Sequence, residues 1–300
     1  MARESSESYA VVEKSRQGFL ESIIGAVREF GVFRTVARGF EYGAIRTPGV
    51  QRLYWRFIPI AYRKKYSSNL NEYEYPPDPF KLIWIDPNES THFTGRGTWD
   101  DWTRFDVGSV IPGKWDRVEQ QELSKEDHRL LRGETIQDTL IYEALEKRLF
   151  ENVDWTETEF YQETVDRVQS MGKSWHNFRS EDDVRDRCEY LDEIAESIVT
   201  KGYKTQAQLR DHSPSLSDPR GFGFFNERTN EITVDIGREG ELLLVDNRHR
   251  LMISQILDLD SVPATVAARH PDWMHYRDRI AREKIESDHQ DLEDLQHQCR

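Results

Sequence analysis

Between Glu231 and Ala268 the pattern of apolar and polar positions changes period twice. Ile232, Val234 and Ile236 alternate with polar residues, the period of a half-buried strand. Arg238-Glu239-Gly240 then supplies a short glycine-containing hairpin loop. Glu241 to Val245 is a brief apolar run, too short for a helix and suited to a strand covered on both faces. Asp246-Asn247 breaks it, after which Leu251, Ile253, Ile256, Leu257 and Leu259 return at helical spacing. Val262, Ala264 and Val266 restore the strand period. The expected order is strand, hairpin, strand, helix, strand.

Outside this stretch helices dominate. Val12, Phe19, Leu20, Ile23, Ile24, Val27 and Phe30 recur at three- and four-residue spacing, predicting an amphipathic helix over roughly 9–31. Phe80 to Asp86 alternates and reads as a strand. Residues 121–190 are charged and mostly helical and include Leu145, Leu149 and Val165, with Asp154 or Thr156 as an N-cap for a helix at Glu157. Leu191, Ile194, Ile198 and Val199 form the stripe of a helix that stops at Lys201-Gly202. The polar, proline-rich run Asn69 to Pro79 reads as a linker, and the acidic end ESDHQDLEDLQHQ reads as solvated and frayed. These elements predict an α+β fold, a small mixed sheet with surrounding helices. They divide the chain into a basic helical extension with linker (1–75), the main domain (76–280) with a helical insertion at about 121–190, and an acidic C-terminal helix or tail (281–300).

The junction Asp246-Asn247-Arg248-His249-Arg250 lies where a buried strand ends and a helix begins. Helix N-termini leave N–H groups unpaired and carry partial positive charge, so three adjacent basic residues there point to an anion, with phosphate the natural guest. The plainer alternative is a capped helix with solvated cations. Asp246 fits two roles: N-cap to Arg248 or His249, or a carboxylate that binds Mg2+ on a nucleotide or accepts a proton. Asn247 tolerates the left-handed backbone that the turn needs. His249 and Arg250 suit phosphate oxygens. Thr94-Gly95-Arg96-Gly97 is a second, weaker candidate for a phosphate-cradling loop.

Charge changes the picture at the N-terminus. The chain carries a net −14, with 30 Arg against 11 Lys. Residues 1–66, however, hold 12 Lys/Arg against 6 Asp/Glu, and the rest hold 29 against 49. The basic segment, with its aromatic- and cation-rich VQRLYWRFIPIAYRKKY, could pack on the acidic domain, on a second copy as a homodimer, on a membrane surface or on nucleic acid. The acidic, Arg-rich balance fits a cytoplasmic protein of a high-salt cell. Two cysteines, Cys188 and Cys299, do not make a disulfide framework, and the nine scattered His show no metal-ligand spacing.

The segment VDNRHRLMISQILDLDSVPATVAARH resembles the central motif of the ParB/sulfiredoxin-like superfamily, which carries a [D/G]-G-x-[RH]-R-type turn before a helix. More narrowly it resembles haloarchaeal ParB-like domain proteins. Two further segments join it: YLDEIAESIVTKGYKTQ, and IPGKWDR, where RFDVGSVIPGKWDR would supply the first strand of the fold. The WTETEFY stretch resembles another segment of those proteins and reads as scaffold. The resemblance implies nucleotide binding at the turn: ATP, ADP or CTP with Mg2+. It implies phosphate contacts from Asn247, Arg248, His249 and Arg250, with Lys204 and Gln206 approaching from the second box. Lys114, Asp116, Arg117 and Arg269 are secondary candidates, and Asp246 the candidate catalytic residue. Arg248 stands where sulfiredoxins carry their cysteine, which excludes sulfiredoxin chemistry. The expected function is therefore nucleotide binding by a ParB-like protein, with NTPase or phosphotransferase activity as one extension. The alternatives are a DNA-associated regulatory protein and a non-catalytic nucleotide sensor or scaffold.

Overall fold

The computed structural model describes residues 43–44, 47, 49–96, 106–118, 134–172, 174, 178–212 and 223–296. The expected helix over 9–31 lies outside them, as do Gly97 and Cys299. The chain separates into two compact units, Met1–Pro59 with Phe222–Phe224, and Ile60–Gly221 with Phe225–Arg300. In chain order the elements are α1 (Val50–Tyr66), β1 (Leu82–Ile85), β2 (His92–Phe93) and β3 (Ser109–Val110). There follow α2 (Leu140–Glu146), α3 (Glu159–Met171), α4 (Glu181–Lys201), α5 (Gln206–His212) and α6 (Phe224–Thr229). The last are β4 (Ile232–Ile236), β5 (Leu242–Asp246), α7 (Arg248–Ile256), β6 (Val262–Arg269), α8 (Pro271–Glu283) and α9 (Glu293–Gln296). Among the described residues, no helix is long and apolar enough to cross a membrane.

The second unit is α+β, built on a mixed open sheet in the order β1-β6-β4-β5-β2, with β3 also on β6. The hairpin β4–β5 is antiparallel and closes through Gly237, whose N–H donates to the Glu241 carbonyl at 2.9 Å. β6 runs parallel to β4. Its other edge takes β1, antiparallel, opposite Val262–Thr265, and then β3, parallel, opposite Ala268 and Arg269. RFDVGSVIPGKWDR thus yields a two-residue strand on the flank of β6, not the first strand; that is Leu82–Ile85. Every residue of β4 and β6 is buried, because helices and loops cover both faces. The visible alternation at Ile232, Val234 and Ile236 therefore marks one of two covered faces.

Helix α7 is buried over all nine residues and forms the spine of the core. One continuous cluster joins Leu251, Met252, Ile253 and Ile256 to Val234 and Val266 of the sheet and to Ile141, Phe160, Leu191 and Ile194 of the helical region. The helices expected as an insertion therefore share the core of the sheet. Trp155, Phe160 and Tyr161 of WTETEFY are buried. Asp154 caps a short 3-10 turn, and Thr158 caps α3. A capping box, Ser180 with Asp183, starts α4, and Gly202 with φ 72° ends it.

Two segments are better anchored than their composition implies. The supposed linker is tied to α8: the Glu74 and Tyr75 N–H groups donate to Asp278 at 3.2 and 2.9 Å, and Arg277 Nε donates to the Tyr75 carbonyl at 2.7 Å. The division between units falls instead inside α1. The acidic C-terminal run is not frayed through Gln296. Asp291, Leu292 and Leu295 are buried, and Asp291 meets Arg269 Nε at 2.9 Å and Trp273 Nε1 at 3.0 Å. With Arg269 Nη2 as a third donor to the same carboxylate, Asp291 is a structural pin, which a reading of net acidity cannot distinguish from a solvated one.

Candidate functional site

The sheet has two chemically different ends. At one lie the hairpin turn, the C-terminus of β6 and the 3-10 turn Trp115–Arg117. At the other lie the C-terminus of β5, the N-terminus of α7 and Glu231, which precedes β4. The sequence candidates divide between them.

At the hairpin end the secondary candidates serve the fold. Asp116 takes the Arg238 guanidinium at 2.6 and 2.8 Å and the Arg238 backbone N–H at 3.1 Å. Burial opposes its charge, but Arg238 outweighs this and holds the carboxyl down at about 2. Arg117 pairs with Glu239 at 2.9 Å, and Lys114 is exposed at the N-cap of the 3-10 turn. Arg269 is fully enclosed with Asp291. None of the four adjoins the Asp246–Arg250 turn. The Thr94-Gly95-Arg96 loop is likewise engaged in structure: Arg96 grips the buried Asp235 at 2.6 and 2.9 Å, and Thr94 Oγ1 donates to it at 2.6 Å.

At the opposite end, Asn247 occupies the left-handed region, φ 63° and ψ 37°. Its side-chain Nδ2 donates to the Glu231 carbonyl at 2.6 Å, fastening the turn to the start of β4. Asp246 is not the helix cap expected for Arg248 or His249: its Oδ1 accepts the N–H of Asn247 at 2.7 Å, and the N-cap residue is Asn247 itself.

The three basic residues do not converge. Successive helix positions point about 100° apart, so neighbours at i, i+1 and i+2 face different surroundings. Arg248 lies over the Phe93 ring, 5.9 Å from its centroid. His249 Nδ1 meets Arg187 of α4 at 3.1 Å; as Arg can only donate, Nδ1 accepts and the ring proton sits on Nε2. Arg250 turns toward the α4–α5 connection, 6.0 Å from the Tyr203 ring centroid. All three are buried.

The Arg250 side is where the two sequence boxes meet. Lys204 and Arg250 line one depression with Ile194, Ser197, Ile198, Gly202 and Leu209, and its volume is ≈ 10 Å³. Gln206 contributes its backbone, not its side chain: its N–H donates to Glu231 Oε1 at 2.7 Å. Beneath lies a group that motif reading missed. The Glu231 carboxyl is buried beside Arg250, and its Oε2 has no hydrogen-bond partner among the described residues. Burial pushes Glu231 up to about 7 against the pull of the Gln206 N–H, Arg250 and Arg228. Burial likewise raises the Tyr203 hydroxyl, which Arg250 pulls down only in part. Arg250 stays charged: burial opposes it, but Tyr203, Tyr190 and Glu231 outweigh this and raise its pKa. In sequence Glu231 is one glutamate among many; its only signal is its place just ahead of a buried strand.

Cys188 is buried in α4 with its thiol pushed up to about 12 by burial, which leaves it unreactive at neutral pH. Among the described residues no three His, Cys, Asp or Glu side chains form a metal-holding group. In comparisons with known proteins, no family model, curated protein or solved structure matches the chain.

Proposed function

We propose that this chain is a ParB/sulfiredoxin-like protein that binds a nucleotide, ATP, ADP or CTP, by its phosphates at the Lys204–Arg250 depression. The observation that carries this reading is the meeting of Lys204 and Arg250, from two distant segments, at one depression beside a helix start. Two cations there supply the charge-assisted contacts that phosphate oxygens take. The left-handed Asn247 supports the same reading, since it preserves a tight strand–turn–helix without the superfamily's glycine.

The depression as folded has room for about one water. Entry of a nucleotide therefore requires the Gly202–Thr205 connection to swing away from α7. Mg2+ in this reading rides on the nucleotide phosphates. Asp246 is not among the residues lining the depression, so the geometry favours binding over turnover, and no chemical step is assigned to it.

A nucleotide panel with and without Mg2+, scored by thermal unfolding, tests the proposal. At least one nucleotide should raise the midpoint of the wild-type chain in a concentration-dependent way. Lys204→Ala, at a partly exposed position, should weaken that effect by about tenfold or more through loss of one charge-assisted contact. No shift with any nucleotide at millimolar concentration would dispose of the reading.

A further inference from the structure

Helix α1 has two apolar faces, and among the described residues one is covered and the other exposed. Tyr54 is buried, and its hydroxyl accepts the Phe224 N–H at 3.0 Å. Tyr62 and Tyr66 stack with Phe225 at 5.3 Å, and Phe80 meets them edge-on. On another side of the helix Val50, Leu53, Phe57 and Ile60 stand open at 40, 58, 56 and 61% exposure. At about 100° per residue these four fall within an arc of about 80°, and the stripe runs about 15 Å along the axis. Lys64 continues the stripe, Arg52 and Arg56 border it, and all three are exposed. The helix contains no acidic residue at all.

We infer that this stripe is a docking surface for an anionic lipid bilayer, with α1 lying in the plane of the headgroups. The occupant is argued from the chemistry of the stripe. It presents large apolar side chains and cations on one face, so its partner must offer hydrocarbon and negative charge together. An anionic bilayer offers them in adjacent layers: Leu53, Phe57 and Ile60 enter the acyl boundary while Arg52, Arg56 and Lys64 extend to phosphate. The chain's own acidic surface, 49 Asp/Glu against 29 Lys/Arg beyond residue 66, satisfies the cations but not the apolar groups. Pairing with the same stripe of a second copy would set cations against cations. No described helix is long and apolar enough to cross the membrane, so the mode is in-plane.

The test is co-sedimentation of the full chain with vesicles, either pure phosphatidylcholine or equal parts phosphatidylcholine and phosphatidylglycerol, at low and high salt. The chain should pellet with the anionic vesicles and not with the neutral ones, and high salt should weaken the association. Phe57→Glu with Ile60→Glu should abolish pelleting. Arg52→Ser, Arg56→Ser and Lys64→Ser together should reduce partitioning on the order of a hundredfold. The substituted positions are exposed, so both variants should unfold at the wild-type urea midpoint; with two independent variants, either suffices. Failure to pellet with anionic vesicles at low salt overturns the inference, as does pelleting unchanged by both variants. Two other results also overturn it: self-association lost in Phe57→Glu without vesicle binding, which assigns the stripe to a second copy, and nucleic-acid binding lost with the cations while vesicle binding is unaffected.

Discussion

Replacing Glu231 by Gln should change how stability responds to pH, in a direction opposite to that of most carboxylates. Glu231 is buried, and its carboxyl is raised from 4.5 to about 7. The folded chain therefore holds a proton there that the unfolded chain releases. Between pH 4.5 and 7 the folded state binds more protons, so this group makes stability fall as pH rises through that window. The raised value corresponds to about 3 kcal/mol in total, at roughly 1.4 kcal/mol per pH unit. Gln has the same shape and keeps an oxygen for the Gln206 N–H, but carries no proton to lose. Urea unfolding of wild type and Glu231→Gln from pH 5 to 8.5 isolates the effect, because all other titrating groups cancel in the difference. The variant should gain on the wild type by about 2–3 kcal/mol across that range, with most of the gain below pH 7.5. Adding Arg250→Met should raise the upper edge of the window, since Arg250 pulls Glu231 down. A difference independent of pH would refute the reasoning and place Glu231 in a solvated environment.

Three further outcomes follow from the same contacts. Asp291→Ala should destabilise the chain by about 3–5 kcal/mol in urea, because it leaves Arg269 buried without its partner; a loss under about 1 kcal/mol would return the C-terminal run to a solvated tail. The paired change Arg269→Met with Asp291→Leu should be milder than Asp291→Ala alone, as removing both charges removes the orphan. Asn247→Val should lose about 2–3 kcal/mol, from a β-branched residue forced to positive φ and from the lost bond to Glu231, whereas Asn247→Gly should lose about 1 kcal/mol or less; equal losses would show that backbone conformation is not what selects the residue there.

The local periodicities from Glu231 to Arg269 carry the order of elements legibly, because each is a short-range pattern imposed by one buried face. Asn247 is legible for the same reason: a non-glycine residue at a strand-to-helix turn must tolerate positive φ. What the sequence hides is pairing at long range. Asp291 with Arg269, Asp116 with Arg238, and Asp235 with Arg96 look like ordinary surface charges, and each is drawn into a buried or half-buried pair by segments that meet only in three dimensions. The run Arg248-His249-Arg250 misleads in the opposite way. Three cations adjacent in sequence look concentrated, yet helical geometry sends them to Phe93, Arg187 and Tyr203. The pairing of Arg250 with Lys204, read from two separate boxes, joins residues that line one depression.

Calorimetric titration of the wild-type chain and Lys204→Ala with ATP, ADP and CTP in the presence of Mg2+ tests the central claim most directly. Saturable one-site binding to the wild type, weakened about tenfold or more in Lys204→Ala, is the predicted result. Binding that is equal in both proteins, or no heat of binding from any of the three, would contradict it.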